Sequence, residues 1–339
     1  GLSRNLMNLR NCNSRIGSLR IGSATALLAA VTCVSFAHAQ GWQPARSVRW
    51  VVPYVPGGAN DLVTRTVAEP LSAALGQQFV VDNRGGASGT ISLDLVARAA
   101  PDGYTLTTAA DAITILPSAF KKLSFDPRTS FVPITTMTTQ PMALAVHAAL
   151  PVKSVKELIA LAKAKAGGLS YGTSGTGTSQ HLCGELIKRA GGFEMTHIPY
   201  KGAGQAIIDL AGGQVPVVLV GSSTVIPQHR AGRARIIAVT SAKRSAALPD
   251  VPTLAEAGLA GFDIYHWIGI LGPAKLPKEV VARVNGEVGR ILRSPAVRER
   301  LEAAGLEPSP STPQHMAALI RDGMERWGKL IADLKLELN

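Results

Sequence analysis

The sequence is poor in cysteine and in aromatic residues, and each shortage narrows what the chain can be. Of its three cysteines, Cys12 and Cys33 fall in an N-terminal segment that we expect to be removed. Only Cys183 then remains, so the mature chain cannot form an internal disulfide. Phe, Trp and Tyr make up 5% of the 339 residues and are not interleaved with the lysines and arginines. The base-stacking surface of a nucleic-acid-binding protein is therefore not expected.

Motifs for nucleotide, metal or catalytic chemistry are also missing. The segment GTSGTGTS (172–179) has Thr178 where a phosphate-binding loop needs lysine. Its first part, GTSGT, has Thr176 where the nucleophile elbow of a hydrolase has glycine. The histidines are scattered, and neither H-E-x-x-H nor a paired-cysteine motif occurs. We therefore expect no cofactor, no metal and no enzymatic activity, and an exported hydrolase is kept as the alternative.

The first 39 residues contain no acidic side chain and are typical of a secretory signal peptide. A basic stretch with four arginines precedes an apolar run from 21 to 37, which ends in the small-residue site Ala37-His38-Ala39. A membrane anchor is the alternative, but the run is shorter than the roughly 20 apolar residues that a spanning helix needs. The pattern predicts cleavage after Ala39 and export to the periplasm.

In the rest of the chain, acidic residues are fewer than basic residues. Without the four arginines of the predicted signal peptide, 31 basic residues stand against 23 acidic ones, a surplus of eight. A basic surplus favours anionic ligands or an anionic envelope surface. It does not indicate nucleic acid on its own, because the basic residues are not clustered.

From residue 48 onward, short β-rich runs alternate with amphipathic helical stretches, a pattern that predicts an α/β fold with mainly parallel sheets. An almost uncharged β-like stretch at 131–148 is predicted to leave a first lobe, and YHWIGILGP (265–273) to return to it. We expect a first lobe from 40–138, a second lobe from 139–245 and a return to the first lobe over 246–339. The last segment is predicted to close the chain with two long helices, at 279–294 and 315–338.

Three glycine-rich loops join a predicted strand to a predicted helix: PGGAND (56–61), RGGASG (84–89) and YGTSGTGTSQH (171–181). Glycine lets backbone N–H groups approach a ligand closely, and a helix N-terminus favours an anion. A fourth loop, HIPYKGAG (197–204), is predicted to close on the same ligand. Asp61 is also interpreted as a helix cap paired with Arg65. Arg65 and Arg84 are candidates for meeting a second acidic group.

The chain resembles the tripartite tricarboxylate transporter solute receptors, also called Bug receptors, in order over nearly all of its length after the signal peptide. The matching segments are VVPYVPGGANDLVTRTVAEPLSAALGQQFVVDNRGGASGT, ARAAPDGYTL, SFDPRTSFVPIT, SYGTSGTGTSQH, IPYKGAGQAIIDLAGGQV and IIAVTSAKRSAALPDVPTLAEAG. The resemblance implies a two-lobed periplasmic-binding-protein (Venus-flytrap) fold, each lobe a mainly parallel sheet flanked by helices. It also implies one cleft for an organic anion, held by the first-lobe loops and completed by the second-lobe loops.

The loops and the resemblance together define the candidate ligand-binding residues. These are Tyr54, Gly58, Ala59, Asn60, Asp61, Ala87, Ser88, Asp111, Thr173, Ser174, Gly175, Thr178, His181, Tyr200, Lys201 and Gly202. One departure from the family is Pro216, where an acidic residue is common, and it predicts an apolar wall of the cleft at 218–222.

The function implied by the resemblance is capture of a small organic carboxylate and its delivery to the permease subunits of a membrane transporter. A sensing co-receptor for a membrane kinase is the close alternative. We expect a monomer, and the identity of the carboxylate stays open.

Overall fold

The computed structural model describes residues 41–120, 122–165 and 168–334. The predicted signal peptide and its cleavage site lie outside the described residues. The described strands are β1 (Val48–Val52), β2 (Phe79–Asn83), β3 (Thr105–Ala110), β4 (Phe131–His147), β5 (Leu169–Thr173), β6 (Met195–Pro199), β7 (Val217–Gly221), β8 (Ala234–Val239), β9 (Tyr265–Pro273) and β10 (Glu307–Pro308).

Helices follow most of these strands, as the alternating sequence pattern predicted. They are α1 (Ala59–Leu75), α2 (Thr90–Ala97), α3 (Leu116–Ala119), α4 (Val155–Ala164), α5 (Ser179–Gly191), α6 (Ala203–Ala211), α7 (Ser222–Arg230), α8 (Lys278–Arg293), α9 (Pro295–Ala303) and α10 (Pro313–Leu334). None of the described helices is long and apolar enough to cross a membrane.

The two predicted closing helices are present as α8 and α10, and the sequence analysis missed the short helix α9 between them. Ser294 has an extended conformation, with φ −67° and ψ 139°, and Pro295 begins the new helix. Proline disfavours helical geometry in the residue before it but is well suited to the first position of a helix. The Ser-Pro step therefore divides the segment.

Two lobes share one continuous set of strands, and the predicted α/β two-lobed fold is confirmed. In the first lobe, β2, β1 and β3 are parallel neighbours, and β9 joins β3 in the antiparallel sense. In the second lobe, β6, β5 and β7 are parallel neighbours, and β7 and β8 pair antiparallel with β4. The carboxyl ends of the parallel strands carry the loops that the sequence singled out.

Strand β4 connects the lobes by changing its partners along its length. From Phe131 to Pro141 it pairs with β9, and from Met142 onward it pairs with β7 and β8. Gln140 and His266 are directly opposite each other close to this change of partner. The predicted lobe boundaries at 138/139 and 245/246 stay predictions.

Each half of the sheet is covered by apolar side chains on both faces. Trp50 and Leu71 are fully buried in the first lobe, and Tyr171 and Leu182 in the second. Helix α10 contributes to both: its Met316, Ile320 and Met324 pack in a first-lobe core with Leu271, whereas Trp327 and Ile331 belong to the core that contains Leu182. The last helix is therefore anchored to both lobes.

Candidate ligand-binding site

A narrow cavity of about 20 Å³ lies where the strand ends of the two lobes meet. It is lined by Tyr54, Val55, Gly58, Ala59, Asn60, Gln140, Ser174, Gln180, Gly202, Ala203, Gly221, Thr224 and His266. This is room for roughly one water molecule. An organic acid of several carbon atoms is larger, so the lobes have to separate for such a ligand to enter.

Three helices point their N-termini at this cavity. The N-cap residues of α1, α6 and α7 are Gly58, Gly202 and Gly221, which have no side chain to cap the helix. At α7, Oε1 of Gln140 accepts the first-turn N–H of Ser223 at 2.8 Å. First-turn N–H groups and the positive ends of three helix dipoles thus converge on one point, an arrangement that favours an anion.

The lining residues of the cavity include no aspartate, glutamate, lysine or arginine. Tyr54 and His266 are its titratable members. Burial, and then the nearby charge of Asp111, raise the pKa of Tyr54, so its phenol stays neutral at physiological pH. Attraction for an anion here depends on backbone dipoles and neutral donors.

Two buried polar atoms of the lining have no hydrogen-bond partner among the described residues: Oδ1 of Asn60 and Nε2 of Gln140. A buried polar group without a partner costs about 1–3 kcal/mol. Such atoms in native structures call for a ligand or a bound water. Both therefore mark this corner of the cleft as a place where a polar ligand is complementary.

A second cavity of about 380 Å³ shares Tyr54 and Ser174 with the first. Its other lining residues are Gly86, Ala87, Ser88, Gly89, Phe120, Gly175, Thr176, Pro199, Tyr200 and Lys201. Ala87 and Ser88 have φ angles of 44° and 54°, a left-handed conformation that is strained for residues with a Cβ. The hydroxyl of Ser88 donates to the Thr176 carbonyl at 2.5 Å, which joins the first-lobe loop to the second lobe.

The predicted site residues divide into those that line a cavity and those that do not. Tyr54, Gly58, Ala59, Asn60, Ser174 and Gly202 line the narrow cavity, and Ala87, Ser88, Gly175, Tyr200 and Lys201 line the second. Asp61, Asp111, Thr173, Thr178 and His181 line neither one. Ligand contact by any of them stays a prediction.

Asp61 and Thr178, two of these residues, hold backbone groups at the start of a helix. Asp61 accepts from the Gly57 N–H at 3.2 Å and from Arg65 Nε at 2.9 Å. Thr178 caps α5 by accepting from the His181 N–H. Arg65 also donates to the Asn83 side chain, and Arg84 pairs with Asp82 at 3.0 Å. These two arginines are thus held by protein partners outside both linings.

The sequence missed Gln140, Gln180, Thr224 and His266. His266 is a buried polar residue in an apolar strand, and this is the signal that could have found it; Gln140 follows a threonine-rich stretch of β4 and gives no such signal. The expected apolar wall at 218–222 stays a prediction: Val218, Leu219 and Val220 are buried in the two second-lobe cores. Gly221 and Thr224 form the wall of the cavity there.

A stacked pair of histidines, His181 and His197, supports the glycine-rich loop of the second lobe. The rings of His181 and His197 lie 3.8 Å apart and within 12° of parallel. Nδ1 of His181 accepts the Gly177 N–H at 3.2 Å, and Nε2 of His197 lies 2.7 Å from the Thr173 hydroxyl. Burial lowers the pKa of both imidazoles, and for His197 burial, His181 and Lys188 together bring it to about 3. Both rings are therefore neutral at physiological pH.

This pair predicts a loss of stability in mild acid. Between pH 6.5 and about 3 the unfolded chain binds a proton at His197 that the folded chain does not bind. Stability is present above pH 6.5 and is lost as the pH falls, by at most about 1.4 kcal/mol per pH unit from this residue. We expect urea unfolding at pH 7, 6 and 5 to show that loss.

His197→Asn should reduce the pH dependence, whereas the same change at the exposed His315 should leave it intact. Equal slopes for the wild type and His197→Asn would contradict the assignment. The carboxylates of Asp82 and Asp94, whose pKa values are lowered from 3.8, lose their stabilising contribution as the pH falls towards and below 3.8, which is beneath the measured range of pH 5–7.

Chemistry of the hydrolase type has limited support in the geometry. His266 and Asp111 form a buried pair with 2.6 Å between Nδ1 and Oδ1, as in the base and orienting acid of a catalytic triad. Within the described part of the chain, however, no serine or cysteine side chain hydrogen-bonds to the His266 ring. The described residues also contain no cluster of three or more metal-ligating side chains.

Comparison with known proteins gives one consistent family. The model of the tripartite tricarboxylate transporter family receptor matches residues 63–336. Protein BugT of Bordetella pertussis is 33% identical over 301 residues, which cover 87% of this chain and 91% of BugT.

Solved structures agree with that match. The periplasmic binding protein BugD is 35% identical with a TM-score of 0.82, covering 86% of this chain and 98% of BugD. Rpa4515 of R. palustris with adipate is 36% identical with a TM-score of 0.83, covering 85% of this chain and 97% of that structure. MatC of Rhodopseudomonas palustris with bound malate is 30% identical with a TM-score of 0.79, covering 85% of this chain and 99% of that structure.

Proposed function

Because the chain belongs to the tripartite tricarboxylate transporter receptor family, whose members are periplasmic solute-binding proteins and not enzymes, we propose that it captures a small organic carboxylate between its lobes. It then delivers this acid to the permease subunits of a tripartite membrane transporter. The observation that carries the proposal is the convergence of the N-termini of α1, α6 and α7 on one cavity.

The three helix N-termini that face the cavity come from both lobes. α1 belongs to the first lobe and presents the backbone at Gly58, Ala59 and Asn60, whereas α6 and α7 belong to the second lobe. A carboxylate bound first at α1 is met by two more helix dipoles only when the lobes close. A ligand shifts an open–closed equilibrium by its differential affinity for the two states. Capture of the acid therefore favours closure, and the closed form is the form offered to the permease.

The ligands of two relatives agree with this class. Rpa4515 was solved with adipate and MatC with malate, and both are small aliphatic acids with two carboxylates. The neutral, dipolar lining of the cavity in this chain is complementary to a carboxylate group.

Thermal unfolding of the purified protein with about 1 mM of single acids tests the proposal. The panel contains succinate, malate, adipate, citrate and benzoate, each beside its uncharged amide. An acid present at a hundredfold excess over its Kd adds about 2.7 kcal/mol. We expect at least one acid to raise the Tm by roughly 5–10 °C and its amide to have no effect. Equal shifts with acid and amide, or no shift across the panel, would count against a carboxylate receptor.

A further inference from the structure

The strands that connect the lobes have a second groove on the face turned away from the ligand cavity. Successive side chains of a strand point to opposite faces. His266 lines the narrow cavity, whereas its neighbour Tyr265 lines a groove of about 610 Å³. On β4, Thr139 and Pro141 line this groove too, and Gln140 between them borders both spaces. We call the larger space the rear groove.

The rear groove lies across the hinge, because its two walls belong to different lobes. One wall is the segment 241–247 that follows β8, where Ala247 packs against a second-lobe core. The other wall contains residues of α9 and β10, next to Leu306, which belongs to a first-lobe core. The floor is the point at which β4 changes its partner from β9 to β7 and β8. The width of the groove is therefore set by the orientation of one lobe relative to the other.

The two spaces are unequal in the arrangement of the lobes that the structure describes. The ligand cavity has about 20 Å³ and the rear groove about 610 Å³. Beside the groove the lobes are in contact, because Arg230 of α7 donates to the Ala303 carbonyl of α9 at 3.3 Å. Two lobes held together on one side move by rotation about the hinge. A rotation that opens the cavity on one face of the strands closes the groove on the other face.

The floor of the rear groove offers an aromatic surface. The ring of Tyr265 is 41% exposed. Burial, and then the charges of Asp263 and Glu307, raise the pKa of Tyr265, which indicates that the Glu307 carboxylate lies near the ring. Glu307 is also directly opposite Thr139 in the antiparallel register of β10 and β4, so both side chains leave the sheet on the same face. A large side chain at position 307 would therefore enter the groove and pack on Tyr265.

We propose that the rear groove is a regulatory site, in which a bulky aromatic group keeps the lobes closed and strengthens acid binding without contacting the acid. Such a group fits only the arrangement in which the groove is wide, so its packing stabilises the closed state. A more populated closed state raises the apparent affinity for an acid that binds this state. The inference goes beyond the proposed function, since the coupling between the two spaces does not depend on which acid is bound.

Tryptophan substitutions in the two walls test this coupling. Ala246→Trp introduces the ring at an exposed residue of the second-lobe wall, and Glu307→Trp introduces it from β10 of the first lobe. Small-angle X-ray scattering without acid should give both variants a smaller radius of gyration than the wild type. Isothermal titration calorimetry uses succinate, malate, adipate, citrate and benzoate. Each of these acids that binds the wild type should bind both variants about fivefold or more tighter, within the usual range of coupling between sites.

Two control variants separate filling of the groove from other effects of the substitutions. Ala260→Trp adds the same ring at an exposed turn of the second lobe, outside the groove lining, and should leave the radius of gyration and every Kd unaltered. Glu307→Gln removes the charge without filling the groove and should also match the wild type. If one of the two groove-filling variants fails to fold, the other decides, because each ring enters from a different wall.

The inference is overturned if both groove-filling variants keep the wild-type radius of gyration and Kd values, or if they are more expanded and bind the acids more weakly. Equal effects of Ala246→Trp and Ala260→Trp would also overturn it. A wild type that binds none of the five acids would count against the proposed function alone, because the radius of gyration without acid still tests the groove.

Discussion

Replacing Gly58 with aspartate is expected to abolish acid binding while leaving the folded protein as stable as before. Gly58 is the N-cap of α1 with φ −90° and ψ 174°, extended geometry that any residue adopts, and an added Cβ would meet no atom within 4 Å. Aspartate is a preferred N-cap residue. Its carboxylate would therefore take the first-turn N–H groups that we assign to the ligand and place a like charge beside it.

The expected loss of affinity is at least 100-fold, since a displaced set of charged hydrogen bonds and a like charge act together. The Tm without acid should be unchanged or slightly raised, since the Gly-to-Asp cap is worth a few tenths of a kcal/mol. Gly58→Asn is the matched control: it caps α1 with the same shape but no charge, and should lose clearly less affinity. Binding by Gly58→Asp within threefold of the wild type would show that the anion does not lie at α1.

The parts of this site that the sequence made predictable share one local signal. A glycine-rich turn between a β-rich run and a helical run places backbone N–H groups at a helix N-terminus, and both features are encoded within about ten residues. The loops at Gly58, Ser88 and Ser174 line the cavities for that reason. The α/β alternation that positions them is equally local, since it depends on the period of the apolar residues.

Gln140 and His266 could not be found in this way, because their proximity depends on the register between strands that lie more than a hundred residues apart. Neither stands in a turn: Gln140 follows a threonine-rich stretch of β4, and His266 is a single polar residue in an apolar run. Only the pairing of β4 with β9 brings them together. Helix α9 was missed for a more local reason: Pro295, which follows the end of α8 and begins α9, was overlooked as a helix start.

The placement of basic residues explains why local charge was a poor guide to the site. Arg65 is held by Asp61 and Asn83, and Arg84 by Asp82. Exposed ion pairs of this kind contribute little to stability, but they keep guanidinium groups on partners of the protein itself. In the narrow cavity, the attraction for an anion comes from helix dipoles and neutral hydrogen-bond donors. Such a lining attracts an anion without a permanent countercharge, which suits a receptor that has to release its ligand.

Gly184→Ala is expected to produce the largest loss of stability among conservative changes, because α5 lies directly on the ring of Tyr171. A Cβ at Gly184 would lie 2.7 Å from Cζ and 2.8 Å from the hydroxyl oxygen of Tyr171, which is fully buried. The ring cannot turn away freely, since its hydroxyl donates to Glu185 at 2.7 Å. Overpacking of this kind costs about 1–3 kcal/mol, so the Tm should fall by roughly 5–10 °C.

Gly286→Ala is the matched control, because it makes the same change inside an exposed stretch of α8 where a Cβ meets nothing within 4 Å. Alanine is the better helix former by about 0.5–1 kcal/mol, so this variant should melt about 2 °C higher than the wild type. Opposite signs for one substitution in two helices would show that contact with Tyr171, and not helix propensity, decides the first result. A Gly184→Ala protein that melts within 1 °C of the wild type would contradict the close packing of α5.

The Gly184→Ala variant should also be stabilised less by a bound acid. Helix α5 begins at the loop that carries Ser174, so a displaced helix moves that loop away from the cleft.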